Sequence, residues 1–201
     1  MLRGLSPLFL SAFALGACAG TQPAPPAPAK AAPTGTPPTL AVTEITPLAL
    51  ADTPNVHAFA GLLTSGQPTV AGLEAAAALG VRTVLNNRKD SELEKVPFDE
   101  RAVVEGLGMS YVRIPWGGPE ELTDEVLDRS LAFLREAERP ALYHCASANR
   151  VGAAFAAWRA LDHGVELEQA LAEGRKIGLR TAALEPIVRG YVERRRAERG
   201  R

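Results

Sequence analysis

Residues 141–161 read ALYHCASANRVGAAFAAWRAL. An apolar run ends in His144-Cys145, four small or polar residues follow (Ala146, Ser147, Ala148, Asn149), and Arg150 opens a stretch with the spacing of an amphipathic helix. The cysteine stands where strand becomes helix. In an open parallel sheet, ligands gather beyond the carboxyl ends of the strands, and a loop running into a helix N-terminus aims free amide hydrogens at one point. That point attracts anions. The same dipoles, with a guanidinium beside them, favour a thiolate, so Cys145 is expected to be ionised near neutral pH. Arg150 adds a planar pair of donors suited to oxyanion oxygens, which a lysine does not reproduce. The competing reading, an inert buried thiol beside a surface arginine, does not explain why all these features occur together.

Working outward, short β-branched or apolar runs alternate with helical patterns, the signature of a sheet with crossover helices. Strands are expected at residues 58–63, 81–86, 110–114 and 141–144. Helices are expected at 70–79, 99–106, 124–137, 150–162, 167–176 and 184–196. Thr69 and Thr123 are placed to cap helices, and Gly80 to end one. The fold class is therefore α/β, with a mostly parallel four- to five-stranded sheet flanked by helices and right-handed crossovers. Phe155 and Trp158 share the core face of the helix after the cysteine. Arg194, Arg195, Arg196 and Arg199 read as a solvated helix end, where the dipole favours cations, rather than as an anion-binding surface.

The first eighteen residues carry a positive charge at Arg3, an apolar run from Leu5 to Leu15, and Leu15-Gly16-Ala17-Cys18. This is the layout of an export signal, too short to span a bilayer. Its end resembles the lipobox of bacterial lipoproteins, in which Cys18 becomes the lipidated first residue. Ala19 behind it resembles outer-membrane sorting, so the expected location is a lipid anchor in the outer membrane facing the periplasm. Residues 19–54 are dominated by Pro, Ala and Thr and read as a disordered tether. Residues 55–197 form the one expected domain. With two cysteines in the chain, lipidation of Cys18 leaves Cys145 as a single thiol without a disulfide partner. A net charge of −1 and 5% aromatic content argue against a nucleic-acid partner. His57 and His163 show no metal-binding spacing, and no cofactor is called for.

HCASANR looks like the active-site loop of the cysteine phosphatase superfamily. Together with SGQPTVAGLEAAAALGVRTVLNNRKDSELE (65–94) and YVRIPW (111–116), it is similar to the bacterial beta-lactamase-hydrolase-like, phosphatase-like domain family. The likeness implies that Cys145 attacks a phosphoryl group while Arg150 and the 146–149 loop bind its oxygens. The implied substrate is a phosphorylated protein or a small phosphomonoester. Three features depart from the superfamily pattern. Four residues, not five, separate Cys145 from Arg150, as in many rhodanese-type sulfurtransferases. Val151 stands where a hydroxyl residue usually donates to the thiolate. Ala148 replaces a glycine common in the loop, which matters if that residue sits at positive φ.

Phosphomonoester cleavage also needs a proton for the leaving alkoxide, normally from a carboxylic acid on a movable loop. PWGGPEELTDE (115–125) is the expected lid. Glu120 is the first candidate acid and Asp124 the second, although a carboxylate in a first helical turn is common for dipole reasons alone. Arg88 lies at the same sheet edge, where it either touches the substrate or, the favoured reading, pairs with Glu92 or Glu94. His144 is expected to orient the loop rather than act as a base. Three functions compete: a tethered cysteine-dependent phosphatase, a sulfurtransferase carrying a Cys145 persulfide, and a non-catalytic anion-binding lipoprotein.

Overall fold

The computed structural model of the protein describes Met1 and residues 40–200. The expected signal, its lipidation site Cys18 and the first part of the tether lie outside the described residues. Six strands form one sheet: β1 (Thr46–Pro47), β2 (His57–Phe59), β3 (Leu62–Ser65), β4 (Thr83–Asn86), β5 (Ser110–Arg113) and β6 (Ala141–His144), in the order β1-β2-β3-β6-β4-β5. From β3 to β5 every pairing is parallel, while β1 and β2 add an antiparallel edge. The α/β class is as expected, with more strands.

The extra strands have identifiable origins. The single strand expected over 58–63 is instead a hairpin, because Ala60 and Gly61 both take positive φ (47° and 75°). Two such residues make a tight turn whose twist matches its strands. The expected tether also ends earlier than residue 54. Leu40, Ile45 and Leu50 are buried, and the main chain of 40–48 is bonded to the hairpin: Gly61 N to Leu40 O, 2.6 Å; Ala60 N to Val42 O, 2.7 Å; Leu48 N to Val56 O, 3.1 Å. These apolar residues are scattered among Pro and Thr without a period, so only the sheet edge shows what they cover.

Seven helices flank the sheet among the described residues: α1 (Val70–Ala78), α2 (Asp90–Leu93), α3 (Glu100–Gly106), α4 (Asp124–Glu136), α5 (Asn149–Asp162), α6 (Leu167–Ile177) and α7 (Leu184–Arg199). Alternation along the inner strands supplies both layers, as a sheet covered on two faces requires. Leu62, Leu85, Ala141 and Tyr143 point into the layer formed with α4 to α7, while Leu63, Val84 and Leu142 point into the layer holding Leu73 of α1 and Val104 of α3. The expected caps form. The Thr69 and Thr123 hydroxyls accept from Gly72 N (3.0 Å) and Val126 N (3.3 Å), and Gly80 ends the first helix at φ 82°.

Two helical expectations need correction. α5 is not amphipathic: its side chains are buried from Arg150 to Trp158 and again at Ala160 and Leu161. A helix that is apolar all round belongs in the interior, and its alanines let neighbours close in on every side. The arginines of α7 are not simply solvated either. Arg194 bonds Asp124 and Arg195 bonds Asp128, both on α4; Arg199 bonds Asp162, and Arg196 donates to the carbonyls of Ala160 and Val165. They tie the last helix to its neighbours.

α5 and α6 meet at glycines. A Cβ on Gly152 would lie 2.5 Å from Gly174 O and 2.6 Å from Leu179 N, backbone atoms that cannot swing aside. Gly152→Ala is therefore expected to cost about 3 kcal/mol or more of stability, as a clash in a close-packed interior does. Urea denaturation reads this directly, and an unchanged midpoint would show that the two helices separate freely.

Candidate active site

Register brings the site together. Ser65 of β3 and Asn86 of β4 both stand opposite His144 of β6, so three strand ends align and Cys145 follows the middle one. The loop is stitched to both flanks: Cys145 N to Ser65 O (3.4 Å), Gln67 N to Ala146 O (3.1 Å) and Asn87 N to His144 O (3.1 Å). The connection between α6 and α7 holds it from another side. Asn149 Oδ1 accepts from the main-chain N–H groups of Arg180 (2.8 Å) and Thr181 (3.1 Å), and the Arg180 side chain donates to Ser147 Oγ (2.5 Å) and Ser147 O (3.3 Å). Asn55 Nδ2 spans Ile177 O and Ser147 O.

Ala148 adopts the left-handed conformation (φ 64°, ψ 1°) and is fully buried. This is the backbone the missing glycine would favour, and an alanine there costs about 1 kcal/mol or more. Surrounding bonds hold the strain, so the loop keeps its curl without the glycine.

Arg150 is 7% exposed. Its two terminal nitrogens grip both carboxylate oxygens of Glu92 (2.7 and 2.6 Å), and one of them also donates to the carbonyls of Trp116 (2.5 Å) and Asn87 (3.1 Å). Burial works against the Arg150 charge, but the Glu92 carboxylate and the neighbouring Cys145 sulfur raise its pKa. Burial opposes ionisation of Glu92 as well; hydrogen bonds from Arg150 and from Lys89 N overcome it and lower its pKa. Cys145 itself is 1% exposed. An open cleft of about 330 Å³ is lined by Lys89, Glu92, Gly117, Ser147, Asn149 and Arg150.

Behind the loop lies a buried polar network. His144 Nε2 lies 2.8 Å from Glu100 Oε1. Glu100 also accepts from Gln67 (2.5 Å) and Asn86 (2.9 Å), Gln67 accepts from Arg88 (2.5 Å), and Arg88 pairs with Glu92 (Nε to Oε1, 3.7 Å). The network thus runs from the residue before the cysteine round to the partner of Arg150. Burial pushes the Glu100 pKa up, yet His144 and the hydrogen bonds from its neighbours bring it down to about 2. A carboxylate held below its ordinary value of 4.5 adds stability that is fully present above that value and is lost as pH falls through about 2. The contribution is on the order of 3 kcal/mol. Glu100→Gln is expected to lower stability at pH 7 and to flatten the acid limb of a stability-against-pH curve; a variant that keeps the wild-type limb would remove this assignment.

Of the residues singled out from sequence, Cys145, Ser147, Asn149 and Arg150 come together, with His144 bonded behind them, and Ala146 is exposed at the loop. Arg88 is paired with Glu92 and bonded to Gln67. Asp124 is a correction: it sits in the first turn of α4, bonded to Arg194 at 2.6 Å, and does not line the cleft. Glu120 is exposed on the short turn Pro119–Glu121, with its carboxylate folded back over Gly118. Glu121 is the lid carboxylate tied to the site, accepting from Lys89 (2.5 Å) and Gly117 N (2.7 Å). Those bonds lower its pKa, the one from Lys89 most of all. Sequence reasoning missed Glu100, Lys89, Asn55 and Arg180. Each is an ordinary polar residue far from the motif in sequence, and nothing local marks it.

Residues 59–162 match the family described as beta-lactamase hydrolase-like protein, phosphatase-like domain. A beta-lactamase hydrolase-like protein of Agrobacterium fabrum is 29% identical over 107 residues, 52% of this chain and 25% of that protein, so the chain spans about a quarter of the relative's length. Among solved structures, Pseudomonas aeruginosa TpbA is similar in fold (TM-score 0.59, 22% identity, 75% of this chain and 89% of that one). A cysteine-to-serine form of TpbA in complex with pTyr gives 0.51 at 23% identity, covering 68% and 90%. The catalytic domain of the PP-IP phosphatase SIW14 of S. cerevisiae, in complex with citrate, gives 0.60 at 17% identity, covering 76% and 96%. The family match takes in just over half of the residues, including the three aligned strand ends, Cys145 and Arg150: the chain belongs to the beta-lactamase hydrolase-like protein, phosphatase-like domain family.

Proposed function

We propose that the protein is a cysteine-dependent phosphatase that hydrolyses a phosphomonoester through a phosphocysteine intermediate. The observation that carries this is Cys145 at the end of the central strand, in a short loop that runs into Arg150, whose guanidinium Glu92 grips with both carboxylate oxygens. In the reaction the loop amides and Arg150 hold the non-bridging oxygens, Cys145 attacks phosphorus, and the ester oxygen leaves with its electron pair. Water then attacks the phosphocysteine, gives its proton to the carboxylate that protonated the leaving group, and returns the electron pair to sulfur. Glu92 and Glu121 are each tied to a cation, so Glu120, on the turn beyond the Gly117-Gly118 pair, is the lid carboxylate left to serve the leaving alkoxide. The pTyr held by TpbA and the phosphatase activity in the name of SIW14 support a phosphorylated protein or small molecule as substrate.

The four-residue spacing between Cys145 and Arg150 favours a second reading, sulfur transfer through a Cys145 persulfide. Assays of the soluble domain with an aryl phosphate, and separately with thiosulfate and a thiol acceptor, distinguish the two. Turnover of the phosphate alone is expected, and turnover of thiosulfate alone would replace the first reading with the second. If neither is turned over while vanadate binds, the protein is an anion-binding lipoprotein. We further propose export and lipid anchoring at Cys18, in the outer membrane facing the periplasm. Cys18→Ala is expected to move the protein from the membrane to the soluble fraction, and unchanged fractionation would refute the anchor. No described helix is long and apolar enough to cross a membrane.

A further inference from the structure

The described chain uses its arginines economically. Most pair with a carboxylate, and Arg129, Arg139 and Arg196, which do not, donate to main-chain carbonyls of neighbouring elements. Arg180 differs in both place and partner. It is exposed, it has no carboxylate partner among the described residues, and its guanidinium rests on Ser147, a residue of the nucleophile loop that lines the cleft. A guanidinium has five N–H donors, more than the two bonds to Ser147 use, and the residue is exposed beside the cleft-lining Ser147.

The cation is also pinned. Its own main-chain N–H and that of Thr181 both donate to Asn149 Oδ1, and Asn149 Nδ2 donates to Thr181 Oγ1 (3.0 Å). Arg180 is therefore fixed to the same loop that receives the reacting phosphoryl group. A charge held in place before binding loses little entropy when a ligand arrives, and an arginine fork suits a phosphate. Arg150 does not play this outer part, since it is buried and meets the phosphate that leaves. Lys89, the other cation at the cleft, is occupied by Glu121.

We infer that Arg180 forms a second anion subsite at the mouth of the cleft, and that the preferred substrate is a small molecule carrying a second phosphate beside the one removed. This rests on the phosphatase reading above and narrows its substrate class. Arg180 is a specificity-determining residue: it meets the phosphate that stays behind, while Cys145 and Arg150 handle the phosphate that leaves.

The test compares bisphosphoglycerate with phosphoglycerate. The wild-type protein is expected to prefer the former in kcat/KM, and added salt should weaken that preference. Arg180→Ala should reduce the ratio about tenfold, toward one, and Arg180→Lys should keep part of it. An equal loss on both substrates would mean that Arg180 only braces Ser147, and would overturn the subsite; an unchanged ratio would do the same. Calorimetry on Cys145→Ser gives a second arm that needs no turnover. There bisphosphoglycerate should bind about tenfold more weakly when Arg180→Ala is added, while phosphoglycerate loses much less. If the wild-type protein turns over neither compound nor an aryl phosphate, the activity reading fails, and this binding arm still decides the subsite. Arg180 dependence seen only with a doubly phosphorylated peptide would overturn the small-molecule assignment.

Discussion

Cys145→Ser is expected to lower turnover of an aryl phosphate by about ten-thousand-fold or more, leaving folding and anion binding in place. A serine hydroxyl at this point is a poor nucleophile without a base, and His144, which stands nearest in sequence, is turned away to Glu100 at 2.8 Å. The ring is fully buried, so it cannot rotate to serve as that base without giving up its bond to the buried Glu100 carboxylate. The loop geometry comes from main-chain bonds at 145, 146 and 144, which serine leaves unchanged. Two measurements check this: steady-state rates, and an acid-quenched mass spectrum, which should show one phosphoryl group on Cys145 in the wild-type protein and none in the variant. Residual activity within tenfold of wild type would mean that another group carries the reaction.

Arg150→Lys is expected to reduce kcat/KM by about a thousandfold, or about 4 kcal/mol of transition-state stabilisation. A lysine keeps the charge but loses the planar fork that meets Glu92 with two nitrogens while also holding the carbonyls of Trp116 and Asn87. The damage spreads from there. Glu92, part-buried and ionised, loses its two-point partner and is left facing Arg88 and Lys89, which draws a negative group into the cleft where the phosphoryl oxygens belong. The loss should therefore appear in both kcat and KM. A loss confined to KM would mean that Arg150 merely collects the substrate, and an unchanged kcat/KM would remove it from the mechanism. Glu92→Gln separates the two effects: it keeps hydrogen-bond acceptance but weakens the grip, and a milder loss than for Arg150→Lys is expected.

Much of this arrangement can be read along the chain, and the boundary of legibility has physical causes. The strand at Ala141–His144 and the helices α1 and α4 follow from apolar runs, the Thr69 and Thr123 caps and Gly80, all of which act over three or four residues. The positive φ of Ala148 follows from the tightness of the loop. The β2–β3 hairpin was hidden because AFAGLL alternates as well in one strand as in two, and only the left-handed turn at Ala60-Gly61 separates them. Asp124 looked like an acid because the lid points that way in sequence, but α7 returns beside α4 and Arg194 claims it.

By itself, the sequence determined the strand, the loop with its cysteine, and the arginine that opens the helix, because these lie within ten residues and their geometry is local. Tertiary structure decided everything that reaches the loop from a distance. Glu92 lies 58 residues before Arg150, Glu100 lies 44 before His144, and Arg180 lies 33 beyond Ser147. Such partners are chosen by which strand ends and helix connections the sheet order brings to one edge. A carboxylate or guanidinium carries no mark of that choice until the chain has folded.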